Sequence, residues 1–489
     1  MFDIDLSKVA DQLLYDKDAP LIFSSGLFIY LFLGFLLLYT ALRRAHDARM
    51  IWTTLFSIYF YYKSSGFYFF LLLGSLIIDF VLSHLIYLTQ NKLQRKLLLV
   101  LSLVVNLGML AYFKYTNYGI ELWNFFSGAH MASLDIFLPV GISFFTFQSL
   151  SYTIDVYRNE LKPQESFWEY SFFVTFFPQM VAGPIVRAAD FLPQINQALM
   201  VTREQFGRGV FLITIGLFKK AVISDYISLN YVDRIFETPE LYSGFENLIG
   251  VYGYALQIYC DFSGYSDMAI GIALLLGFTF PINFDSPYQS LSITEFWRRW
   301  HISLSTWLRD YLYIPLGGNR KGKIRTYINL MITMLLGGLW HGAATRFIIW
   351  GGLHGGALAV ERLWKSWFPT EPGQLRKVLG GLWTFHFVCF CWIFFRASDL
   401  DKVWAILGQI AFDFQPERFL PFLDGYAKVV FWMGLGYILH LLPKSTENWA
   451  VNRVTQLPFV FKVLLIFLMA VLVMQMKSAE VQPFIYFQF

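Results

Sequence analysis

The chain has 489 residues, 56% of them hydrophobic, 19% aromatic and only 15% charged, with a formal net charge of +4. Soluble proteins carry roughly 25% charged residues, so the charge is too sparse to coat a soluble globule, and the apolar residues fall in runs of bilayer-crossing length. The surplus Lys and Arg lie in short connections, which makes them a topology signal and excludes a nucleic-acid partner.

The opening, MFDIDLSKVADQLLYDKDAP, is acidic where a signal peptide would open basic. Apolar stretches begin near residues 21, 51, 66, 97, 134, 168, 206, 245, 326, 343, 379, 427 and 458. Several are too short, or too interrupted by Gly and Pro, to cross alone, so about 11 spanning helices with re-entrant or interfacial pieces are expected. The fold class is an all-α, multipass integral membrane protein, a single polytopic domain over 1–489 with no internal repeat. Arg43, Arg44 and Arg49 follow the first stretch, which sets the N-terminus outside and that loop in the cytoplasm. Lys444, Arg453 and Lys462 precede the last stretch, so the tail, residues 477–489, is expected outside as well.

Within YCDFSGYSDMAIG, Asp261 and Asp267 lie six residues apart. On a straight helix they do not share a face, so a structural polar network is expected of them rather than a proton relay. Cys260, Cys389 and Cys391 sit in apolar surroundings and offer neither a disulfide framework nor a zinc spacing, and no metal is expected.

The most polar long connection, residues 283–326, holds seven Lys/Arg against three Asp/Glu from Asp285 to Arg325 and is expected in the cytoplasm. In it, SITEFWRRWHISLSTWLRDYL reads as one amphipathic helix. Ser292 and Glu295 have capping-box spacing, and Phe296, Trp300, Leu304, Trp307, Leu308 and Tyr311 recur at helical intervals, with Arg298, Arg299 and Arg309 on other faces. Such a helix can lie at the interface with its rings in lipid and its arginines among phosphates. GGNRKGKI imitates a phosphate-binding loop, but Ile324 stands where the magnesium-binding hydroxyl belongs and no strand precedes it.

Of eight histidines, His46, His84, His130, His386 and His440 read as isolated structural residues. His341, in LLGGLWHGAATRF, follows an apolar run and is flanked by Gly337, Gly338 and Gly342. An ionisable group at membrane depth is a functional candidate, and the glycines admit a second backbone or a substrate. His301, in WRRWHISLS, is its natural companion. His354, in GGLHGG, ranks below both, because its small neighbours also suit helix packing.

WRRWHISLSTWLRDYLYIPLGG followed by GGLWHGA resembles the paired signatures of the membrane-bound O-acyltransferase (MBOAT) family. LPVGISFFTFQSLSYTIDVYR, FFPQMVAGPIVR and QIYCDFSGYSDMAIG resemble its bacterial alginate O-acetyltransferase branch, and the likeness covers most of the chain. The resemblance implies about 11 spanning helices around a central tunnel in a bacterial inner membrane. It also implies His341 as catalytic histidine, with His301 at the earlier polar position. The substrate implied is an acyl thioester, acetyl-CoA or an acylated carrier protein, with no bound cofactor. The partners implied are membrane lipid, an extracytoplasmic transferase resembling an SGNH hydrolase, and a polysaccharide acceptor such as alginate.

The chemistry agrees. A thioester releases a thiol of pKa near 8.5, and a neutral imidazole is the usual base for a hydroxyl nucleophile at pH 7. Trp300, Trp340 and nearby rings are expected to line the tunnel and exclude water, with Arg298 and Arg299 beside them. The tail FIYFQF resembles an aromatic motif proposed in this branch to accept the acyl group, which makes Tyr486 a candidate relay; the alternative is an aromatic interface anchor. Two other functions remain at this point: D-alanyl transfer to teichoic acid from a carrier protein, and a transporter or polymer-export component, which would show paired halves.

Overall fold

Away from water a backbone can satisfy its N–H and C=O groups only internally, so long apolar stretches become helices. The structure, a computed structural model, describes residues 11–17, 19–197, 200–368 and 373–476, and among these every regular element is helical. Tyr486 and the aromatic tail lie outside the described residues. Two packed units form. One takes residues 11–202 with Ile272–Phe280, the other Arg203–Gly271 with residues 281–476.

The first unit is built on α1 Gly26–Ala41, α2 His46–Ser65, α3 Phe69–Leu88, α4 Lys92–Leu110 and α5 Ile142–Tyr157. Phe177 sits edge-on to Phe35 and Phe56, at 5.5 and 5.1 Å, and centres its aromatic core. Residues 46–88 run as 43 nearly continuous helical residues, about 65 Å, or twice a bilayer core. Gly66 divides them: its φ of +58° is open to glycine and costly for other residues, and it leaves two helices of 20 residues, each one crossing long.

The second unit contains α6 Arg203–Leu217, α7 Gly244–Leu275, α8 Ile293–Arg299, α9 Ile302–Leu308, α10 Lys323–His341, α11 Thr345–Trp367, α12 Gln374–Arg396, α13 Ala427–Leu441, α14 Lys444–Gln456 and α15 Phe459–Met476. α10 and α11 pack backbone to backbone, since a Cβ at Gly338 would strike the Phe347 carbonyl and one at Gly351 the Met334 carbonyl. Among the described residues three helices are long and apolar enough to cross a membrane by length and composition, or four if α14 and α15, bent by 120°, make one span.

The single amphipathic helix expected over 292–312 is broken. α8 ends at Arg299, His301 takes a left-handed conformation (φ 43°, ψ 55°), and α9 starts afresh. The break is held by the segment just before it: Ile302 N–H donates to the Asn283 carbonyl and Asp285 N–H to the Arg299 carbonyl, both at 2.9 Å. These bonds replace ones a continuous helix would have made. The rings expected in lipid are inside the protein instead, with Phe296, Trp300, Leu304, Trp307 and Leu308 all buried. The cap is as expected at Ser292, whose Oγ accepts from Glu295 N–H at 3.2 Å, while the Glu295 carboxylate takes Leu291 N–H at 2.9 Å.

Candidate active site

His341 is the last residue of α10 and His301 the elbow between α8 and α9, forty positions apart in sequence. Their rings lie 6.5 Å apart between centroids, and both are buried, at 3% and 0% exposure. Trp340 stands beside both, 5.9 Å from His301 and 5.0 Å from His341. Trp350 and Phe395 wall the other sides of His341 at 5.0 and 5.2 Å. His301 stands edge-on to Phe262 at 4.7 Å.

Asn283 fixes His301. Its Oδ1 accepts from Ser303 N–H at 3.2 Å and from Ser303 Oγ–H at 2.9 Å, while its Nδ2 donates to Ser266 Oγ at 3.2 Å. The amide orientation is thereby set, so the Asn283 Oδ1 contact to His301 Nδ1, also 3.2 Å, has Nδ1–H as donor. Neutral His301 therefore carries its proton on Nδ1, which makes Nε2 an acceptor.

His341 ends a cavity of about 190 Å³ with apolar walls from Leu304, Leu308, Leu330 and Met334. Trp297 and Trp350 flank the histidine, and Arg309 and Tyr313 also line the space. Arg309 is half exposed and bonded to Asp310 at 2.6 and 3.0 Å. The site is thus an apolar sleeve with an imidazole and a guanidinium among its walls.

The other candidates fall elsewhere. Trp300 packs against Phe284 and Trp392, both at 5.0 Å, in the core behind His301. Arg298 and Arg299 line a separate polar recess of about 470 Å³, where Arg299 pairs with Glu295 at 2.8 Å. Asp261 and Asp267 end in ion pairs: Asp261 with Lys220 at 2.5 Å and Asp267 with Lys219 at 2.7 Å. Six residues leave the two carboxylates about 120° apart on α7, and the two lysines that meet them lie in a π-helical turn, Phe218–Ser224. His440 takes the Tyr288 N–H on Nε2 at 3.1 Å, and His84 and His386 contact carbonyls of their own helices at 2.8 Å. His354 is fully buried among aromatic rings, 4.8 Å from Trp350, and does not line the His341 cavity.

Sequence reasoning passed over Asn283, Trp350 and the lysine pair. The lysines had a usable signal, two adjacent cations in an apolar run that call for buried anions. Asn283 had none, being an amide in a loop 18 residues before the histidine it holds.

One imidazole in the wall of an apolar cavity with a second 6.5 Å away, inside a membrane helix bundle, fits a membrane-embedded transferase. A family model described as "MBOAT, membrane-bound O-acyltransferase family" matches residues 58–398. The chain belongs to that family and is an O-acyltransferase. A peptidoglycan O-acetyltransferase of Helicobacter pylori is 39% identical over 419 residues, 79% of each chain. A probable alginate O-acetylase, AlgI, of Pseudomonas aeruginosa is 46% identical over 311 residues, 63% of this chain and 58% of that one. The teichoic acid D-alanyltransferase of Bacillus subtilis is 29% identical over 297 residues, 57% of this chain and 74% of that one.

Proposed function

We propose that this enzyme moves an acetyl group from a cytoplasmic thioester, acetyl-CoA or an acylated carrier protein, across a bacterial inner membrane to hydroxyls of an alginate-type exopolysaccharide. The carrying observation is the placement of His341 in the wall of an apolar cavity of about 190 Å³ with the His301 ring 6.5 Å away. The donor's arm lies in the sleeve, its phosphate towards Arg309 and its thioester at His341. The acceptor oxygen attacks the thioester carbonyl carbon while its proton passes to the His341 imidazole. As the adduct collapses the C–S bond breaks, and the imidazolium returns the proton to the departing sulfur. General-base help of this kind is worth about 10²–10⁴-fold. Apolar walls keep out the water that would hydrolyse the thioester. His301, locked by Asn283, orients the reacting groups through its Nε2 lone pair.

In this reading about 11 crossings surround the tunnel, both termini are outside, and the phenol of Tyr486 takes the acetyl as an aryl ester. An SGNH-hydrolase-like transferase then passes it to the polymer. Peptidoglycan is the second acceptor reading, supported by the Helicobacter relative, whose match covers 79% of each chain. D-alanyl transfer has weaker support, at 29% identity.

The test incubates purified protein with radiolabelled acetyl-CoA or a labelled acyl-carrier donor, comparing wild type with His341→Ala and Tyr486→Phe. The reading expects label on the C-terminal peptide of wild type alone, and, with the partner transferase added, on alginate in preference to peptidoglycan. Turnover that survives Tyr486→Phe removes the relay. Turnover that survives His341→Ala removes the mechanism.

A further inference from the structure

Beside the active site, and sharing no lining residue with it, a groove of about 1440 Å³ opens between α11, α12 and the start of α8. Its depths are apolar, with Ile349, Leu353, Leu379 and Phe387 along the walls. The space over Gly356 is open, since a Cβ there would meet nothing within 4 Å. Its other end is basic. Lys365, Arg376 and Lys377 line it, and Arg298 and Arg299 line the polar recess that shares Ser292, Glu295 and Lys365 with it. Five basic side chains there face three carboxylates, and those carboxylates are engaged: Glu295 by Arg299, Glu361 by Lys365 and Asp285 by Lys444. Among the described residues Arg298, Arg376 and Lys377 have no carboxylate partner.

Two further observations narrow the occupant. From Lys365 to Ile349 the groove follows α11 for 16 residues, about 24 Å, which is close to half of the roughly 40–45 Å bilayer with its headgroup layers. That is the depth of one lipid in one leaflet, whereas a partner helix would cross both. Thr384, 2% exposed, lines the groove with its hydroxyl lacking any partner among the described residues. A buried hydroxyl needs an oxygen to bond, and the ester carbonyls of a glycerolipid supply one below the headgroup. Exposed Trp364 and Trp383 give the rim the aromatic character of a membrane interface.

We infer that this groove is a specific site for an anionic phospholipid, its phosphate held by Arg376 and Lys377 and its chains lying along Gly356 towards Ile349. Basic pockets between membrane helices are suited to such headgroups, and by the distribution of Lys and Arg this is the cytoplasmic leaflet. The inference is independent of the acyl-transfer reading.

The test reconstitutes the full chain in phosphatidylcholine vesicles doped with phosphatidylglycerol, extracts it in mild detergent and reads retained lipid by native mass spectrometry. Wild type is expected to retain phosphatidylglycerol in preference to phosphatidylcholine, and inorganic phosphate is expected not to displace it. Arg376→Gln with Lys377→Gln should weaken that preference roughly thirtyfold, the size expected for two basic groups at an anionic surface. Arg376→Lys with Lys377→Arg should keep it. Gly356→Phe, which projects a ring into the groove from a position whose Cβ would meet nothing within 4 Å, should lose both lipids at an unchanged melting temperature. Equal retention of the two lipids by wild type overturns the proposal. So does unchanged preference in the glutamine variant, or a photocrosslink from position 356 that captures protein rather than lipid.

Discussion

The second unit buries two sets of ionisable side chains, and they are handled in opposite ways. Around Lys219 and Lys220 every charge has an opposite partner: Lys220 holds Asp261 at 2.5 Å and Asp225 at 2.8 Å, and Lys219 holds Asp267 at 2.7 Å. Around His301 and His341 aromatic rings surround both imidazoles at 4.7–5.9 Å. A paired charge is costly to disturb and has its lone pairs committed, so it holds structure. An imidazole walled by rings is held by packing and presents a ring nitrogen for proton transfer. Burial alone does not separate a structural residue from a reactive one; the partners do.

That contrast can be broken at its strongest point by His341→Gln, which is expected to lower turnover by about 10²–10⁴-fold with the melting temperature unchanged. A matching fall in stability would make His341 a packing residue. Asp261→Asn is expected to do the reverse. It removes one of the two carboxylates on Lys220, Asp225 remaining paired at 2.8 Å, and costs about 1.5–3 kcal/mol of stability, read as a lower unfolding midpoint, while the molecules that stay folded keep their specific activity. Lys220→Met with Asp261→Leu should recover most of that loss, because the remaining partner, Asp225, is a fifth exposed and reaches water. Asn283→Ala sharpens the comparison by releasing His301 without removing it. One buried hydrogen bond is worth about 1–1.5 kcal/mol, so kcat should fall roughly tenfold with KM unchanged. The smallest effect is expected at His386, exposed and bonded to its own helix at Leu382. His386→Gln should change stability by less than about 0.5 kcal/mol and leave turnover alone.

The helical membrane class was legible in the sequence, because apolar run length is a local signal. The break between α8 and α9 was not. The spacing of Phe296, Trp300, Leu304 and Leu308 is good helical periodicity, and only the clasp from Asn283 and Asp285 turns His301 left-handed. The same break turns Trp300 into the core against Trp392, away from the lining of the His341 cavity. Trp350, which does flank the cavity, lies nine residues beyond His341 in a helix read only for its glycines. Its place depends on α10 and α11 touching at Gly338 and Gly351. Long-range contacts set these features, and no single window of sequence contains both partners.

The most direct test of the central claim is single-turnover acetyl transfer by His341→Ala in sealed vesicles, with and without added imidazole. The vacated side chain enlarges a cavity already of about 190 Å³, room enough for the small base to enter. The account predicts a rate at least about 10²-fold below wild type, partly restored by imidazole in His341→Ala and unaffected by it in wild type. A His341→Ala rate equal to wild type, or a deficit that imidazole leaves untouched while Asn283→Ala proves equally severe, would contradict it.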